Sequence, residues 1–203
     1  MRVIHCGNDN RFPAKPPIHR LMPPLDAAIL STARLTLRPL GPQDATPLFG
    51  MYSDAQFMRY WSFPVMRRFE QAVDYVARRL QGSGADIEIV WAIELDATRE
   101  VIGICSLFNV EMASTRAEIG FGLQSAFWGN GYMNEAAHAV IDCAFDVLRL
   151  HRLEAETDPR NVASARVLER LGFVREGLLR ERWIIDGQIS NSVIYGLLRT
   201  DRR

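Results

Sequence analysis

Lysine is almost absent from this chain. Of its 24 basic residues only Lys15 is a lysine, and all the others are arginines. A Walker-type nucleotide site needs a lysine on the phosphates, and a Schiff-base enzyme needs a lysine as its nucleophile. Because Lys15 lies near the N-terminus, neither chemistry is expected in the rest of the chain.

Cysteine and long apolar runs are also scarce. Cys6, Cys105 and Cys143 have neither metal-ligand nor redox spacing, which favours free thiols in a reducing compartment. His138 and His151 lack the spacing and the companions of a metal site, so no metal is expected. No apolar run approaches the roughly 18 residues that span a bilayer, and no apolar signal region follows Met1. These absences predict a soluble cytoplasmic protein.

The charges balance, with 24 basic and 24 acidic residues, which argues against nucleic acid or an anionic membrane as a partner. A chain of 203 residues, 48% of them hydrophobic, is expected to form one domain. Prolines crowd the N-terminal segment, which predicts a poorly ordered arm over 1–30 and a folded domain over 31–203. Met22 is an alternative start that the sequence does not decide.

The periodicity of apolar residues predicts the order of helices and strands. The order is a strand at 34–38, helices at 42–52 and 69–81, strands at 88–95, 101–110 and 117–123, a helix after Gly131, a strand at 152–157, a helix at 162–171, and two strands joined by Asp186-Gly187. This order predicts a mixed α/β domain in which helices flank a largely antiparallel central sheet.

Two helices have a predicted buried face. On the helix at 69–81, which Gly82 ends before a plain turn at 82–84, the expected face consists of Val73, Val76, Ala77 and Leu80. On the helix after Gly131 the apolar stripe consists of Met133, Ala137, Val140, Ile141, Ala144, Phe145 and Leu148.

The most informative stretch runs from Glu118 to Glu135. A strand with a carboxylate near its start leads into Gly129-Asn130-Gly131, where a long helix begins. Glycines let the backbone pass close to a ligand, and the free N–H groups of a helix start attract anions. A dinucleotide-binding fingerprint needs glycine where Asn134 stands, which disfavours an oxidoreductase but leaves it as an alternative. A turn with two glycines is by itself weak evidence for a phosphate site.

Two longer motifs resemble a known family. The strand sequence Glu118-Ile-Gly-Phe-Gly-Leu123 and the turn Trp128-Gly-Asn-Gly-Tyr-Met-Asn-Glu-Ala136 resemble motif A of the GNAT N-acetyltransferases. Downstream, Asn161-Val-Ala-Ser164 and Leu171-Gly-Phe173 resemble motif B, and with the Asp186-Gly187 hairpin they are similar to the RimJ/RimL branch. The resemblance spans about 32–198. It implies the GNAT acyl-CoA N-acyltransferase fold and acetyl-CoA as co-substrate.

The chain departs from the family pattern at three positions. Trp128 stands where the family often has glutamine or arginine, and Met133 stands where glycine or alanine is common. Leu168 occupies the position at which many relatives have a tyrosine acid, so a tyrosine proton donor is excluded there.

The resemblance implies a role for particular residues. Glu118 is expected to take the proton of the acceptor amine, directly or through water, although it can also be an exposed strand glutamate or one paired with an arginine. Ser164 is expected to protonate the CoA thiolate, and Asn161 to reach the pantetheine arm, while both residues also suit helix capping. Residues expected to contact the cofactor are Phe121, Gly122, Leu123, Trp128, Gly129, Asn130, Gly131, Tyr132, Met133, Asn134, Asn161 and Ser164. Backbone amides near Leu123 would donate to the thioester oxygen, and those of residues 128–133 to the pyrophosphate.

The acceptor is less defined than the cofactor. The resemblance implies a primary amine as acceptor, either a protein N-terminal amine or a small-molecule amine, which attacks acetyl-CoA directly in a ternary complex. The enzyme is expected to be a monomer or a homodimer. Trp61, Phe63 and Trp91 can line an acceptor pocket or belong to the core. A non-catalytic acyl-CoA-binding regulatory module is the main alternative function.

Overall fold

The computed structural model describes residues 29–81 and 88–202. The predicted arm lies outside the described residues except for its last two positions, and so do Gly82 and the predicted turn at 82–84. The strands are β1 Leu30–Ser31, β2 Leu35–Pro39, β3 Ile89–Leu95, β4 Glu100–Glu111, β5 Arg116–Leu123, β6 Arg152–Thr157, β7 Val174–Ile185 and β8 Gln188–Leu198. The α-helices are α1 Ala45–Tyr52, α2 Ala55–Met58, α3 Phe69–Gln81, α4 Tyr132–Asp142 and α5 Val162–Arg170.

The eight strands form one mixed sheet in the order β1-β2-β3-β4-β5-β6-β8-β7. Every neighbouring pair is antiparallel except β5 and β6, which run parallel. The predicted fold class is therefore confirmed. Two short elements were not predicted. β1 has two residues, and α2 is a single turn whose start is capped by Asp54 accepting from the Gln56 amide at 2.8 Å. Elements this short carry no readable periodicity.

The two faces of the sheet bury different helices. One core contains the apolar stripe of α4 together with Leu168 and Leu171 at the end of α5. The other core contains residues of α1, α2 and α3. Side chains alternate along β5, so Ala117, Ile119 and Leu123 enter the α4–α5 core. Glu118, Gly120 and Gly122 therefore face the α1–α3 side.

The buried face of α3 differs from the prediction. Ala72, Tyr75 and Val76 are buried, whereas Val73 and Leu80 are 43% and 50% exposed. Tyr75 packs against α1, where its hydroxyl lies 3.0 Å from that of the fully buried Tyr52. An aromatic ring buries more area than a valine or leucine side chain, so the helix turns Tyr75 inward.

The apolar stripe of α4 is confirmed, because all seven of its predicted members are buried. The helix continues into a π-helical turn, Cys143–Val147, which extends that stripe into the core. Within the residues described, no helix is long and apolar enough to cross a membrane.

Candidate active site

The parallel strands β5 and β6 separate partway along their length. Only three residues of β5, ending at Glu118, pair with β6, and the last of these pairs is Glu118 with Glu154. Beyond that point β5 continues alongside β4 to Leu123, and β6 continues alongside β8 to Thr157. A gap therefore opens between two strand edges whose backbone groups the sheet does not pair with each other. An extended ligand can bind such edges as an added strand does.

The α1–α3 side of the gap has an aromatic wall. A Cβ on Gly122 would lie 2.7 Å from the rings of both Phe57 and Trp61, so a residue larger than glycine cannot fit there without displacing them. Trp61 stacks on Phe57 with ring centroids 5.2 Å apart and meets Phe63 edge-on at 5.4 Å. Of the predicted acceptor-pocket residues, Trp61 and Phe63 lie in this wall. Trp91 is fully buried in the α4–α5 core and therefore does not belong to this wall.

Glu118 is half-buried on the side of this wall. Its Oε1 accepts a hydrogen bond from Nδ2 of Asn109 at 2.8 Å. Asn109 has a φ of 48° and lies at a bulge in β4, where the pairing with β5 shifts between Phe108 and Glu111. Asparagine tolerates this left-handed conformation better than most residues. Among the described residues no arginine pairs with Glu118, which removes the alternative of a salt-bridged strand carboxylate.

The loop before α4 presents free backbone amides. Gly129 and Gly131 have φ of 79° and 80°, and Gly131 is the N-cap of α4 without a side-chain cap. The first helical bond runs from the Glu135 amide to the Gly131 carbonyl at 3.1 Å. In the described part of the chain, the backbone N–H groups of residues 129–134 donate no hydrogen bond. Backbone conformation and helix polarity therefore combine into a turn suited to an anion.

Contrary to the prediction from the sequence, the backbone N–H of Trp128 is not one of the free amides of this turn. Its backbone amide donates to the Ser125 carbonyl at 3.2 Å, so the run of free amides begins at Gly129 and not at Trp128. Its indole Nε1 donates to the Leu123 carbonyl at 2.6 Å. Trp128 therefore ties the glycine turn before α4 to the end of β5, and the residue remains 47% exposed.

Asn134 carries a buried polar atom without a partner. Its Oδ1 is enclosed and accepts no hydrogen bond from any described group. Buried acceptors are normally satisfied, so an unpaired one beside a ligand turn suggests that a ligand donates to it. The amide groups of a pantetheine arm are donors of that kind. The free amides, the separated strands and Asn134 thus fit an extended cofactor that carries phosphates.

The start of α5 lies at the same end of the sheet as the glycine turn before α4. The reason is that α4 follows the carboxyl end of β5 and α5 follows that of β6, and these two strands are parallel. Oδ1 of Asn161 accepts the Ser164 amide at 3.2 Å, which confirms its capping role. The Ser164 hydroxyl and the Asn161 side-chain NH₂ group have no hydrogen-bond partner among the residues described. Leu168, at the position of the family's tyrosine, is buried in the core.

Sequence patterns missed three residues that support the site. Asn109 reaches Glu118 only because of a bulge. Arg34 and Thr32 contact α4 at Glu135, with Nε of Arg34 at 2.7 Å and the Thr32 hydroxyl at 2.6 Å from that carboxylate. Burial raises the pKa of Glu135, but the hydrogen bonds from Thr32 and Arg34 outweigh it and lower the pKa overall. These contacts join residues about 100 positions apart, so no local pattern indicates them.

The fold and the site together define a gap in a mixed sheet that suits an extended ligand carrying phosphates. Comparison with known proteins names the class. The family model of the acetyltransferase (GNAT) domain matches residues 34–174, and the chain belongs to this family.

Relatives and solved structures agree with that assignment. An N-acetyltransferase of Bacillus licheniformis called p20, itself uncharacterised, is 33% identical over 85% of this chain and 97% of its own length. The spermidine N(1)-acetyltransferase of Escherichia coli K12 is 27% identical over 80% of this chain and 85% of its own length. A solved acetyltransferase from T. thermophilus is 30% identical, with a TM-score of 0.74 over 85% of this chain and 90% of that one. The chain is an acetyltransferase of the GNAT family.

Proposed function

We propose that this chain transfers an acetyl group from acetyl-CoA to a primary amine, by direct attack within a ternary complex. The observation that carries the proposal is the separation of β5 from β6 immediately after Glu118. The proposal is supported by the position of this gap, which lies between the Glu118 carboxylate on one face of the sheet and the glycine turn before α4. Two substrates can therefore meet at the gap from opposite sides.

The cofactor is proposed to enter from the α4–α5 side. The amides of residues 129–133 would hold its pyrophosphate, and Asn134 and Asn161 would bind its pantetheine arm along the open edge of Phe121-Gly122-Leu123. Acetyl-CoA supplies an acyl group activated as a thioester. Backbone amides near Leu123 would donate to the thioester oxygen, which becomes more negative as the amine attacks.

Glu118 is proposed as the general base. A lysine-like amine has a pKa near 10.4 and an N-terminal amine one near 8, so most of the acceptor is protonated at neutral pH. The Glu118 carboxylate has a neutral amide donor, Asn109, and no cationic partner within the described residues. It can therefore take the proton of the amine, directly or through one water.

Ser164 is proposed as the acid that protonates the leaving thiolate. Its amide is fixed by the Asn161 side chain at 3.2 Å, while its hydroxyl has no partner in the described part of the chain. A thiol has a pKa near 8.5, so its thiolate leaves readily and the contribution of this acid is expected to be smaller than that of the base.

The acceptor is proposed to carry a primary amine, as a protein N-terminus or a small molecule does in the RimJ/RimL branch that the motifs resemble. Trp61 and Phe57 offer an apolar wall next to Gly122, against which the carbon chain of such an acceptor can pack.

A binding and turnover experiment tests the proposal. Titration calorimetry with acetyl-CoA, CoA and NAD is followed by thiol-release assays with N-terminal peptides, small monoamines and spermidine. Binding of acetyl-CoA, with CoA released on at least one of these amine classes, is the expected result. Binding without release on any acceptor would favour the non-catalytic module. NAD binding without CoA binding would overturn the proposal.

A further inference from the structure

Arg34 spans the space between the start of β2 and the phosphate turn. Its Nε and Nη2 lie 2.7 Å and 2.6 Å from Oε2 of Glu135, and its Nη1 donates to the Asn130 carbonyl at 3.1 Å. Its guanidinium carbon lies 4.4 Å from the centre of the Tyr132 ring. The side chain thus contacts a carbonyl of the turn, a ring at the first position of α4 and a carboxylate in its first turn.

The bond to Asn130 sets the direction of an amide. The carbonyl of Asn130 and the N–H of Gly131 belong to one planar trans peptide, so they point in opposite directions. By holding the carbonyl on the β2 side, Arg34 directs the Gly131 N–H away from itself, toward the open side of the turn.

A second bond acts on the preceding glycine in the same way. Nδ2 of Asn130 donates to the Trp128 carbonyl at 3.1 Å and to the Phe127 carbonyl at 3.2 Å. The Trp128 carbonyl shares its peptide with the Gly129 N–H, which is therefore also oriented. Both glycines have a positive φ and many accessible conformations, so without these bonds their amides would point in many directions.

Glu135 needs a different explanation from ordinary helix stabilisation. A carboxylate in the first turn of α4 favours the helix but repels a phosphate bound at the same end. Here its oxygens are occupied by the Thr32 hydroxyl, by the Arg34 amide at 2.9 Å and by the Arg34 guanidinium. Glu135 therefore acts as the anchor that holds Arg34 against the turn.

We propose that Arg34, anchored by Glu135 and Thr32, is a positioning residue that fixes the phosphate turn in its anion-binding conformation before the cofactor arrives. The inference rests on the proposed use of acetyl-CoA. It adds the residue that precedes β2, and its contact with α4, to the cofactor site. The residue acts on the phosphates through the orientation of the Gly129 and Gly131 amides.

Glu135→Gln separates positioning from charge. If charge alone mattered, removing a carboxylate near the phosphates would tighten CoA binding. If Glu135 anchors Arg34, the variant releases the guanidinium, and CoA binding weakens. A turn that is competent one-tenth of the time lowers the apparent affinity about tenfold. Titration calorimetry of the full chain with CoA gives the sign directly.

Arg34→Lys provides the second test. Lysine keeps the positive charge but lacks the planar fork that contacts Glu135 and the Asn130 carbonyl together, so it is not expected to restore CoA binding. Pantetheine, which has no pyrophosphate, should bind wild type and both variants with similar affinity. Arg202→Gln is the matched control, because Arg202 makes comparable ion pairs at the other end of α4, with Asp142 in its last position and Asp146 just beyond it.

The outcomes are distinguishable. Weaker CoA binding in Glu135→Gln and Arg34→Lys, with unchanged pantetheine binding and an unchanged Arg202→Gln control, supports the proposal. Tighter CoA binding in Glu135→Gln, full rescue by Arg34→Lys, or equal losses for CoA and pantetheine would overturn it. Wild-type protein that binds no CoA at all would instead defeat the proposed function. Circular dichroism confirms that each variant is folded before its affinity is compared.

Discussion

Glu118 and Glu154 are paired neighbours at the last position where β5 and β6 remain together. Glu154 is held by two arginines, Arg116 at 3.0 Å and Arg152 at 2.8 Å. Glu118 instead accepts from the neutral amide of Asn109. Two chemically identical side chains at one point of the sheet therefore differ in charge compensation, and Glu118 is the one suited to receive a proton.

The first prediction compares these two carboxylates. Glu118→Gln removes a base and is expected to lower kcat at neutral pH by about 100-fold or more. The loss should shrink as pH rises toward the pKa of the acceptor, because a neutral amine needs no base. Glu154→Gln disturbs an ion-pair network and should leave most of the rate. Thiol-release rates between pH 6 and 10 check this, and equal losses in the two variants would contradict the assignment of the base.

The second prediction concerns Asn109. Asn109→Gly keeps the left-handed backbone at the bulge, where φ is 48°, and removes only the donor to Glu118. Because that hydrogen bond holds the carboxylate in one orientation, its loss should lower kcat while leaving the affinity for acetyl-CoA unchanged. Thiol-release rates and titration calorimetry check this. Weaker binding of acetyl-CoA would point to a distorted strand instead.

The third prediction uses two glycines in open space. No atom lies within 4 Å of a Cβ built on Gly129 or on Gly50, but only Gly129 has a positive φ, of 79°. Gly129→Ala is expected to destabilise the turn by about 1–2 kcal/mol and to weaken acetyl-CoA binding. Gly50→Ala, inside α1, is expected to stabilise the protein by about 0.4–1 kcal/mol without affecting binding. Chemical denaturation and calorimetry give both quantities.

The fourth prediction concerns thiol reactivity. Burial raises the pKa of the Cys105 thiol to about 12, and burial also raises the pKa of the Cys143 thiol. Both side chains are buried, so neither presents a reactive thiolate near neutral pH. A Cys6→Ser variant should therefore not react with a thiol-specific chromogenic reagent until it is unfolded. Fast reaction of the folded variant would show that one of these two thiols is accessible.

The fifth prediction is a pH dependence of stability. The pKa of Glu135 is lowered from its ordinary value of 4.5, so its ionised form is favoured in the folded state. The stability that it contributes is fully present above pH 4.5 and is lost as pH falls through the lower folded value. Melting temperatures of wild type and Glu135→Gln should therefore differ at pH 6, and the difference should shrink as the pH falls below 4.5. A difference that grows on acidification would contradict this.

Local patterns predicted much of the fold and the glycine turn before α4. The stripe of α4 repeats over four turns, and a repeat of that length specifies one buried face regardless of the neighbours. Gly129 and Gly131 marked that turn because a positive φ needs glycine. Leu168 excluded a tyrosine acid by identity alone.

Other features depended on contacts between distant segments. The face of α3 was decided by Tyr75 meeting Tyr52 of α1, and the bulge that brings Asn109 to Glu118 arises in the pairing of two strands. Trp91 is core and not acceptor wall because β3 turns it toward α4.

The sequence by itself thus determined the order of elements, the glycine turn before α4 and the candidate base, since each rests on residue identity and short-range periodicity. Only the tertiary structure decided where β5 and β6 separate, which of two paired glutamates has arginine partners, and how Arg34 reaches Glu135. Those properties belong to pairs of residues far apart in the chain. They exist only when packing brings both members of a pair together.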